Sequence, residues 1–537
     1  MTLAVLRATR KRRILSGFLQ PPPAMFRRSF LSDLSRHAVL AAGTPTLWRL
    51  TWHPRLADDP FALGVASGDP TATSVVLWTR LAPKPLEPEG GMDGLRTVVS
   101  WEVASDEGFT TIVQRGRATA APELSYSVHV DVQGLEPDRW YWYRFQVGQA
   151  TSPVGRTRTT PRAGALTPMS FAVASCQRYE HGYFTAYQHL AEESLDLVVH
   201  LGDYIYEYAG LTDRVRSHPG REIRSVDDYR LRYAIYKSDA LLQRAHHRAP
   251  WVVTWDDHEV DNNYAGLVGE NQFESEEQMH FRRAAGYQAW WEHMPVRVPR
   301  ARSWADLSIT RTVEWGALAK FWVLDTRQFR SDQACGDGNK DVPCGDWSDP
   351  SRTLLGAAQE RWLLDGLARD PARWQVLANQ VMMAPFDVEP GNATRWSMDQ
   401  WGGYPFARQR LMDVIGTSAR GRTVTITGDI HSSWVNELRL DALRADSPAV
   451  GVEFVGTSIT SEGDGSDAWA VVNDRSRPEN PQMKWHNARR GYMHCVVTPA
   501  EWRTAYRIVP RVTVPGEAVQ TASSWRVPHG RPQLDAV

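Results

Sequence analysis

The sequence predicts a layered α/β domain that follows a smaller all-β region. Residues 61–160 contain short runs of alternating polar and apolar residues separated by turn residues, as is typical of a β-sandwich. After a linker rich in Pro, Thr and Ala at residues 160–168, apolar runs of strand length alternate with segments of helical periodicity. Three of these apolar runs end abruptly in carboxylate and imidazole or phenol side chains. Because an α/β sheet builds its sites at the carboxyl ends of its strands, these ends predict a functional site.

Both regions divide into elements. In the all-β region, strands are predicted at residues 74–80, 98–103, 127–132 and 140–147. In the α/β domain, helical spacing predicts helices at residues 184–193, 227–245, 276–293, 356–368 and 405–415. Strands are predicted at residues 170–176, 197–202, 318–324, 374–379, 423–427, 450–455 and 491–497. The sequence contains no internal repeat and no low-complexity tract.

Length and composition limit the class of protein. A chain of 537 residues is too long for one compact unit, so two domains are expected. Hydrophobic residues at 42% and charged residues at 23% are typical of a globular protein with a substantial core. A net charge of −1 provides no general attraction for nucleic acid or an anionic membrane, so recognition of an anion must be local. No run of about 18 apolar residues is present, and no transmembrane segment is predicted.

The N-terminal segment has the features of an export signal. Residues 1–57 form a basic leader, in which Arg27 and Arg28 precede Ser-Phe-Leu in the manner of a twin-arginine signal, with Met25 as an alternative start. The apolar stretch after the arginines is short, so an amphipathic leader that is never cleaved is the alternative. Export by the twin-arginine route predicts a periplasmic or secreted protein.

The four cysteines have different expected roles. Four cysteines in a chain of this length do not form a disulfide framework. Cys335 and Cys344 bracket a loop rich in Gly, Asp and Asn, and a disulfide would close that loop after export. Cys495 lies in a strand and is expected to be a small buried hydrophobic residue. Cys176 is different because it ends a predicted strand.

The central apolar run, residues 197–201, leads to Gly202 and then to Asp203 and Tyr206. A turn at Gly202 lets both side chains project beyond the end of the strand. A carboxylate and a phenol three residues apart can bind one cation, and the second carboxylate oxygen can bridge to another. The alternative is a helix start, with Asp203 as the N-cap and Tyr206 as a packing residue.

Two further strand ends favour the metal-binding interpretation. Residues 249–255 form an apolar run that ends in Asp256, Asp257, His258 and Glu259. Three carboxylates around one imidazole rarely occupy a protein core without a cation. Residues 423–427 alternate β-branched residues and lead through Gly428 to Asp429 and His431. Together the three ends predict a metal site.

With these motifs, the sequence resembles the PhoD-like alkaline phosphatases, relatives of the purple acid phosphatases among the calcineurin-like metallophosphoesterases. The resemblance runs from about residue 60 to about residue 510. The motifs that carry it are Ser-Cys-Gln at 175–177, Gly-Asp-Tyr-Ile-Tyr-Glu at 202–207, Trp-Asp-Asp-His-Glu at 255–259, Leu-Asp-Thr-Arg-Gln at 324–328 and Gly-Asp-Ile-His at 428–431.

The resemblance implies a four-layer αββα sandwich, in which two β-sheets pack face to face with helices outside. A small all-β domain of the fibronectin or immunoglobulin type would precede it. The expected division is a leader at 1–57, a β-sandwich at 58–161, the metallophosphoesterase domain at 165–515 and a C-terminal tail at 516–537.

The resemblance also implies one iron(III) site. Its ligands would be the Cys176 sulfur, the Asp203 carboxylate, the Tyr206 phenolate and the His431 imidazole, with Cys176 at the position where purple acid phosphatases carry Asp. A strongly polarising cation such as Fe3+ is needed to ionise a phenol and a thiol at neutral pH. The alternative for Cys176 is a buried core thiol.

A second site would share Asp203 and add Asp257 and Asp429. The purple acid phosphatases carry His where Asp429 stands, and another His near residue 379. An all-oxygen ligand set favours Ca2+, or Mg2+ or Mn2+, over zinc. The amides that would complete the set, each with an alternative role in a turn or a cap, are Asn262, Asn379 and Gln380.

The implied function is that of a secreted, metal-dependent phosphoesterase of the alkaline phosphatase type. A hydroxide that bridges the two metals would attack phosphorus in line. His258 would contact the phosphoryl group or protonate the leaving oxygen. Arg327 and Arg178 are candidates for binding phosphate, or else for orienting a strand end through an ion pair.

Three other functions remain open from the sequence. A phosphodiesterase, including one of phospholipase D type, would use the same metal site. A secreted binding protein with a degenerate, structural metal centre is less favoured, because His258 would then have no role. A serine hydrolase is least favoured, because Gly-x-Ser-x-Gly does not occur near a suitable His. The expected partner is a small phosphate ester, with no specific nucleic-acid binding, and the protein is expected to be a monomer.

Overall fold

The computed structural model describes residues 58–537 except 271–273, 390, 392, 443, 445 and 467–473. The helices are α1 (Thr185–Leu190), α2 (Val226–Lys237), α3 (Ala240–His246), α4 (Glu276–His293), α5 (Gly356–Arg369) and α6 (Pro405–Ser418). The strands of the first half are β1 (Val65–Gly68), β2 (Ser74–Arg80), β3 (Thr97–Ala104), β4 (Ile112–Ala120), β5 (Ser127–Gln133), β6 (Trp140–Val147), β7 (Ala150–Thr151), β8 (Gly155–Arg158), β9 (Met169–Ala174), β10 (Leu197–His200) and β11 (Trp251–Val253). Those of the second half are β12 (Arg311–Trp315), β13 (Ala319–Val323), β14 (Asn339–Val342), β15 (Trp374–Ala378), β16 (Thr394–Ser397), β17 (Thr423–Thr427), β18 (Ser433–Arg439), β19 (Ala449–Val455), β20 (Met483–Asn487), β21 (Arg490–Val497), β22 (Glu501–Val509), β23 (Gln520–Pro528) and β24 (Asp535–Ala536).

Two large mixed sheets form the centre of the molecule. The first has ten strands in the order β24-β23-β22-β21-β9-β10-β11-β1-β2-β5, and the second has seven in the order β12-β13-β15-β17-β19-β18-β20. In the first sheet β9, β10 and β11 are parallel, and in the second β13, β15, β17 and β19 are parallel. The parallel strands β10, β15 and β17 are buried along their whole length, as expected of strands covered on both faces.

The two sheets pack face to face through one apolar layer. Phe171 and Val199 of the ten-stranded sheet share this layer with Phe321 and Ile426 of the seven-stranded sheet. Helices α1 to α4 contribute to a second core that covers the outer face of the ten-stranded sheet. Helices α5 and α6 contribute to a third core on the outer face of the seven-stranded sheet. The order of layers is therefore helix, sheet, sheet, helix, in agreement with the αββα expectation.

The all-β region has two packed layers of strands, and one of them continues into the ten-stranded sheet. Strands β3, β4, β6, β7 and β8 form a separate sheet, and an apolar core that includes Val99, Tyr143 and Phe145 lies between it and β1, β2 and β5. However, β1, β2 and β5 belong to the ten-stranded sheet, because Gly68 of β1 pairs in parallel with Trp251 of β11. Strands on both sides of the boundary expected at residues 161–165 therefore belong to one sheet.

Two expectations are wrong. Residues 516–537 were expected to be a tail, but β23 and β24 within them extend the ten-stranded sheet, and Trp525 and Val527 are buried on its inner face. The single helix expected at residues 227–245 is two helices. It is interrupted because the Asp239 carboxylate accepts hydrogen bonds from the amides of Leu241 and Leu242 and so begins α3.

The expected disulfide joins Cys335 and Cys344. Cys495 is buried in β21, as predicted. Among the described helices, none is both long and apolar enough to cross a bilayer. The leader with Arg27 and Arg28 lies outside the described residues.

Candidate metal centre

The ends of four strands bring most of the predicted ligands together. Cys176 follows β9, Asp203 follows β10, Asp257 follows β11, and Asp429 follows β17. β9, β10 and β11 are parallel neighbours, so their carboxyl ends lie at the same edge of the ten-stranded sheet. The end of β17 reaches this edge from the other sheet, where a Cβ on Gly428 would lie only 2.8 Å from the Ser175 hydroxyl. The site therefore lies where the two sheets meet.

The backbone is strained at these ends. Four non-glycine positions of the site have left-handed φ angles, namely 57° at Cys176, 56° at Asp203, 64° at Asp429 and 55° at His431. This conformation costs about 1–2 kcal/mol per residue and is typical of functional sites. Gly202 cannot be replaced without a clash, because φ is 106° and an added Cβ would lie 2.5 Å from the Asp256 amide nitrogen. The Cys176 amide donates to the Gly202 carbonyl at 3.1 Å, which holds the two turns together.

Cys176, Asp203, Tyr206 and His431 form the first ligand cluster. One ligand atom from each of Cys176, Asp203 and His431 lies within 4.8 Å of the others. The Tyr206 hydroxyl donates to Asp203 Oδ2 at 2.9 Å and lies 3.1 Å from His431 Nε2. Ser461 Oγ donates to the Tyr206 oxygen at 2.7 Å, which fixes the phenol. Sulfur, phenol, carboxylate and imidazole therefore converge on one position.

Burial controls the protonation of this cluster. Burial, and then the nearby Asp203 charge, raises the pKa of the Cys176 thiol and of the Tyr206 phenol well above their usual values. Burial also raises the pKa of Asp203, more than His258 lowers it. Both Cys176 and Tyr206 are thus neutral unless a cation replaces their protons, as a strongly polarising metal ion does.

Asp256, Asp257 and Asp429 form the second ligand cluster, with carboxylate oxygens within 4.8 Å of one another. The fully buried Arg327 guanidinium pairs with Asp256 and contacts Asp429 at 3.0 Å and Asp257 at 3.6 Å. It also donates to Asp399 Oδ1 at 2.8 Å. Burial raises the pKa of Asp256 and of Asp429, whereas Arg327 and His258 outweigh burial at Asp257 and lower its pKa.

The centre has buried carboxylate oxygens without hydrogen-bond donors. Among the described residues of the two ligand clusters, these oxygens are Oδ1 of Asp203, Oδ2 of Asp256 and Oδ1 of Asp257. Buried carboxylate oxygens without donors are costly unless a cation binds them. The residues therefore fit metal ions at both clusters. The oxygen ligands of the second cluster suit a hard cation such as Ca2+, Mg2+ or Mn2+.

His258 lies between the clusters. One of its nitrogens, together with oxygens of Asp203 and Asp257, forms a group within 4.8 Å. Its Nδ1 lies 2.7 Å from Glu207 Oε2, and its ring lies 4.1 Å from the Tyr206 ring centroid. Burial lowers the pKa of His258, but Glu207, Asp257 and Asp203 raise it by more, so the net shift is well above the usual value. The geometry leaves Nε2 as the nitrogen that can serve a substrate.

Two predicted amide ligands are used elsewhere. Gln380 Nε2 donates to the Trp255 and Leu324 carbonyls at 3.0 and 2.6 Å, and its Oε1 accepts from Thr326. Asn379 donates to the Val381 carbonyl, and its oxygen accepts from the Trp401 indole at 3.1 Å. Because their polar atoms connect loops, the assignment of Asn379 and Gln380 as metal ligands does not agree with the structure.

Asn262 is also outside both ligand clusters. Its Nδ2 donates to Glu270 Oε1 at 2.7 Å, and its backbone amide donates to Glu207 Oε1 at 2.9 Å. It thereby helps to hold the carboxylate that contacts His258. Glu207, Asp261 and Glu270 form a further acidic group, but Asp261 pairs with Arg282 at 2.9 Å.

The two predicted phosphate-binding arginines, Arg327 and Arg178, have different surroundings. Arg327 has no exposed surface and its guanidinium contacts four carboxylates, so the structure places it as an ion-pair partner and not as a phosphate clamp. Arg178 lies beside the first ligand cluster, with its guanidinium 5.5 Å from the Tyr206 ring centroid. Glu180 lies 3.3 Å from Arg178 Nη2. Arg178 therefore remains a candidate for contact with phosphate.

Several residues of the site were missed from the sequence. Asp399 pairs with Arg327 and contacts Arg330 at 3.1 Å. It lies two residues after the short strand β16, whose sequence is not an apolar run and so did not predict a strand. Glu462 lies 3.5 Å from His431 Nδ1, and Arg490 donates to the His431 carbonyl. Glu207 stands within the motif at residues 202–207, so its position directly after Tyr206 was the available signal.

A cavity of about 590 Å³ opens beside the ligand clusters. Asp429 and His431 line it, and so do Gln400, which donates to Asp429 Oδ2 at 2.5 Å, and Arg490, which donates to the His431 carbonyl. Much of the rest of its lining is aromatic and aliphatic, and Glu462 and His486 also contribute. A substrate group bound there would have direct access to both clusters.

The chain is similar to proteins of a known family. Residues 171–506 match the family described as PhoD-like phosphatase, and residues 48–161 match the family described as PhoD-like phosphatase, N-terminal domain. Alkaline phosphatase D of Bacillus subtilis (strain 168) is 48% identical over 510 residues, which cover 93% of this chain and 87% of that protein.

Solved structures give the same result. The structure of PhoD superposes with a TM-score of 0.87 at 48% identity, covering 90% of this chain and 93% of the other. A purple acid phosphatase from yellow lupin (Lupinus luteus) seeds superposes with a TM-score of 0.54 at 11% identity, covering 88% and 74% of the two chains. The second likeness concerns the fold alone.

Proposed function

The chain belongs to the PhoD-like phosphatase family and is a phosphoric ester hydrolase, and we propose that it hydrolyses its substrates at the centre formed by the two ligand clusters. One observation carries the proposal: three strand ends from two sheets bring Cys176, Asp203, Tyr206 and His431 to one point, and Asp257 and Asp429 belong to neighbouring ligand groups. Backbone strain and buried carboxylate oxygens without donors are unfavourable in a purely structural core, and both are found at this point.

We assign the two clusters to different metals. Cys176, Asp203, Tyr206 and His431 would hold Fe3+, because the thiol and phenol must lose protons that burial otherwise retains. Asp257 and Asp429 would hold Ca2+, or Mg2+ or Mn2+ in its place, with Asp203 shared between the sites. When bound, such cations supply the charge that activates water for attack on phosphorus and that neutralises the phosphoryl oxygens.

The chain's own residues would complete the reaction. Glu207 holds His258 through Nδ1, which orients Nε2 and keeps a proton on the ring. His258 would give that proton to the leaving oxygen of the ester. Arg178, beside Tyr206, would orient the phosphoryl group through its guanidinium.

Secretion is part of the proposal. The Cys335–Cys344 disulfide supports an oxidising compartment, because structural disulfides are rare in a reducing cytosol. Arg27 and Arg28 would provide the twin-arginine signal. A diester substrate is the second candidate, and the volume of the cavity supports it, since about 590 Å³ accommodates more than one phosphate substituent.

The proposal is tested by hydrolysis in the presence of a calcium-selective chelator. Purified full-length protein should hydrolyse 4-nitrophenyl phosphate or bis(4-nitrophenyl) phosphate. The chelator should abolish the reaction, and added Ca2+ should restore it, because the second ligand cluster offers only carboxylate oxygens. Metal analysis of the same sample should find iron that the chelator does not remove.

A variant of the shared ligand provides the matched comparison. Asp203→Asn should lose activity and both metals, whereas Asp213→Asn, at a side chain that is 82% exposed, should behave as the unmodified protein. Full activity in the chelator, from protein with no bound divalent ion, would refute the assignment of the second site.

A further inference from the structure

The cavity beside the metal centre has a lining of two chemically different kinds. Asp429 and His431, which belong to the ligand clusters, form part of it. The aromatic residues Phe386, Trp396 and Trp434, together with aliphatic side chains, form another part, the aromatic wall. Its volume of about 590 Å³ lies within the range of about 300–1,000 Å³ that is usual for sites of small organic ligands.

The aromatic wall is held in place by its surroundings. Phe386 and Trp434 are in edge contact, with ring centroids 4.7 Å apart and planes at 65°. The Trp434 indole donates to Ser432 Oγ at 2.8 Å, so its orientation is fixed by the residue that follows His431. Phe386 and Trp434 are only 8% and 2% exposed, and they belong to one apolar cluster with Met382.

Trp396 is fixed by a separate device. It lies on β16, which pairs with β14, and Trp396 stands opposite Lys340. The Cys335–Cys344 disulfide closes the loop that contains β14. Trp347 packs against Trp396 with ring centroids 6.0 Å apart and donates its indole N–H to the Gly402 carbonyl at 2.8 Å. The wall is therefore formed before a ligand arrives, which reduces the entropy lost on binding.

We propose that this aromatic wall binds the organic group of the phosphate ester, and that the enzyme prefers esters whose alcohol is aromatic or bulky and apolar. The inference rests on the proposed phosphoesterase function. Because Asp429 and His431 line the same cavity as Phe386 and Trp396, an ester whose phosphoryl group binds at the first pair would hold its substituent within reach of the aromatic wall. Aromatic groups stack well on such side chains, and an apolar wall gives little compensation for burying a charged or heavily hydrated alcohol.

The proposal is tested with two esters that differ only at the far end of the alcohol. Propyl phosphate and 3-phenylpropyl phosphate have alcohol oxygens of similar reactivity, so the ratio of their kcat/KM values measures recognition of the phenyl group. We expect the full-length enzyme to prefer the phenyl ester by about 10- to 100-fold. Phe386→Ala should bring the ratio close to one, and Phe386→Leu, which keeps an apolar side chain, should leave an intermediate ratio.

Controls separate a failure of this inference from a failure of the proposed phosphoesterase function. Phe281→Ala removes an aromatic side chain that is 65% exposed on α4, and it should leave the ratio unchanged. Inhibition by inorganic phosphate reports whether the two ligand clusters are intact in each variant. Equal hydrolysis of both esters by the unmodified enzyme, or an unchanged ratio in both Phe386 variants, would overturn this inference alone. Hydrolysis of neither ester would overturn the proposed function and, with it, this inference.

Discussion

The two ligand clusters of the centre are stabilised in different ways. In the first, the protons of Cys176 and Tyr206 are retained because burial raises their pKa values, and Ser461 donates to the Tyr206 oxygen. In the second, the buried guanidinium of Arg327 contacts Asp256, Asp429 and their neighbours. One cluster is therefore neutralised by protons and the other by an arginine.

This difference predicts different dependence on metal ions. Protons can leave the first cluster when a cation binds, so the cluster can be stable both with and without metal. The arginine of the second cluster cannot leave, because it is part of the fold and its charge is permanent. Arg327 is thus expected to maintain the structure of the second cluster, whereas Tyr206 is expected to bind metal without contributing much to folding.

The largest effect is expected from Arg327→Met. This variant leaves Asp256, Asp399 and Asp429 buried without their cation, and breaking a buried ion pair in this way costs about 3–5 kcal/mol. We expect a correspondingly lower free energy of unfolding, measured by denaturant titration, together with loss of activity. Added Ca2+ should recover part of the stability, because it supplies positive charge to the same carboxylates.

The control is Arg369→Met, whose side chain is 79% exposed and should contribute nothing measurable to stability. If Arg327→Met unfolded at the same denaturant concentration as the unmodified protein, the carboxylates would not need the arginine. The contrast between the clusters would then be wrong.

The parts of the site that were predictable from the sequence lie directly after strands. Cys176, Asp203, Asp429 and His431 follow apolar runs. Parallel pairing brings the ends of β9 and β10 together, and the packing of the two sheets adds the end of β17. Asn379 also follows a strand, but its amide is used within the turn. Periodicity reveals where a strand ends, and it does not reveal which polar side chains the surrounding loops already satisfy.

The features that the sequence did not predict were also missed for physical reasons. Asp399 lies 72 residues from Arg327 in a loop, so no local pattern connects them. Residues 520–528 include a Thr-Ala-Ser-Ser segment that resembles a polar tail, yet they pair with β22 through the backbone. Long-range partners and outer strands depend on the assembled fold, whereas the buried parallel strands are recognisable from composition alone.

The next largest effect tests the first cluster. Tyr206→Phe removes the phenol oxygen and keeps the ring, and Cys176→Ser replaces a soft ligand with a poor neutral one. Both variants should fold, lose most of the activity, and weaken iron binding by at least about 10- to 100-fold, since even the loss of an outer partner has that effect. The native protein should show a visible charge-transfer band that each variant shifts or loses.

Matched controls are available in the chain. Tyr208→Phe removes a hydroxyl that contacts Glu270 at 3.3 Å and not the cluster, and Cys495→Ser alters a buried thiol in β21. Both controls should keep the colour and the iron. An unmodified protein that is colourless, contains no iron and is fully active would show that the first cluster also takes a hard divalent ion.

The smallest of the three effects is expected at His258, and it separates catalysis from metal binding. His258 Nδ1 is held by Glu207 at 2.7 Å, so the ring is positioned for proton donation through Nε2. His258→Ala should lower turnover by about a hundredfold or more, the usual contribution of a general acid, while the content of both metals stays unchanged. His280→Ala, which removes an imidazole on α4 outside the centre, should change neither quantity.

The opposite outcome would change the assignment of His258. Oxygens of Asp203 and Asp257 lie within 4.8 Å of a His258 nitrogen, so a loss of metal in His258→Ala would make this residue a ligand that joins the two clusters. The two clusters would then share a ligand, and only the residues farther from His258 would differ in how they are stabilised.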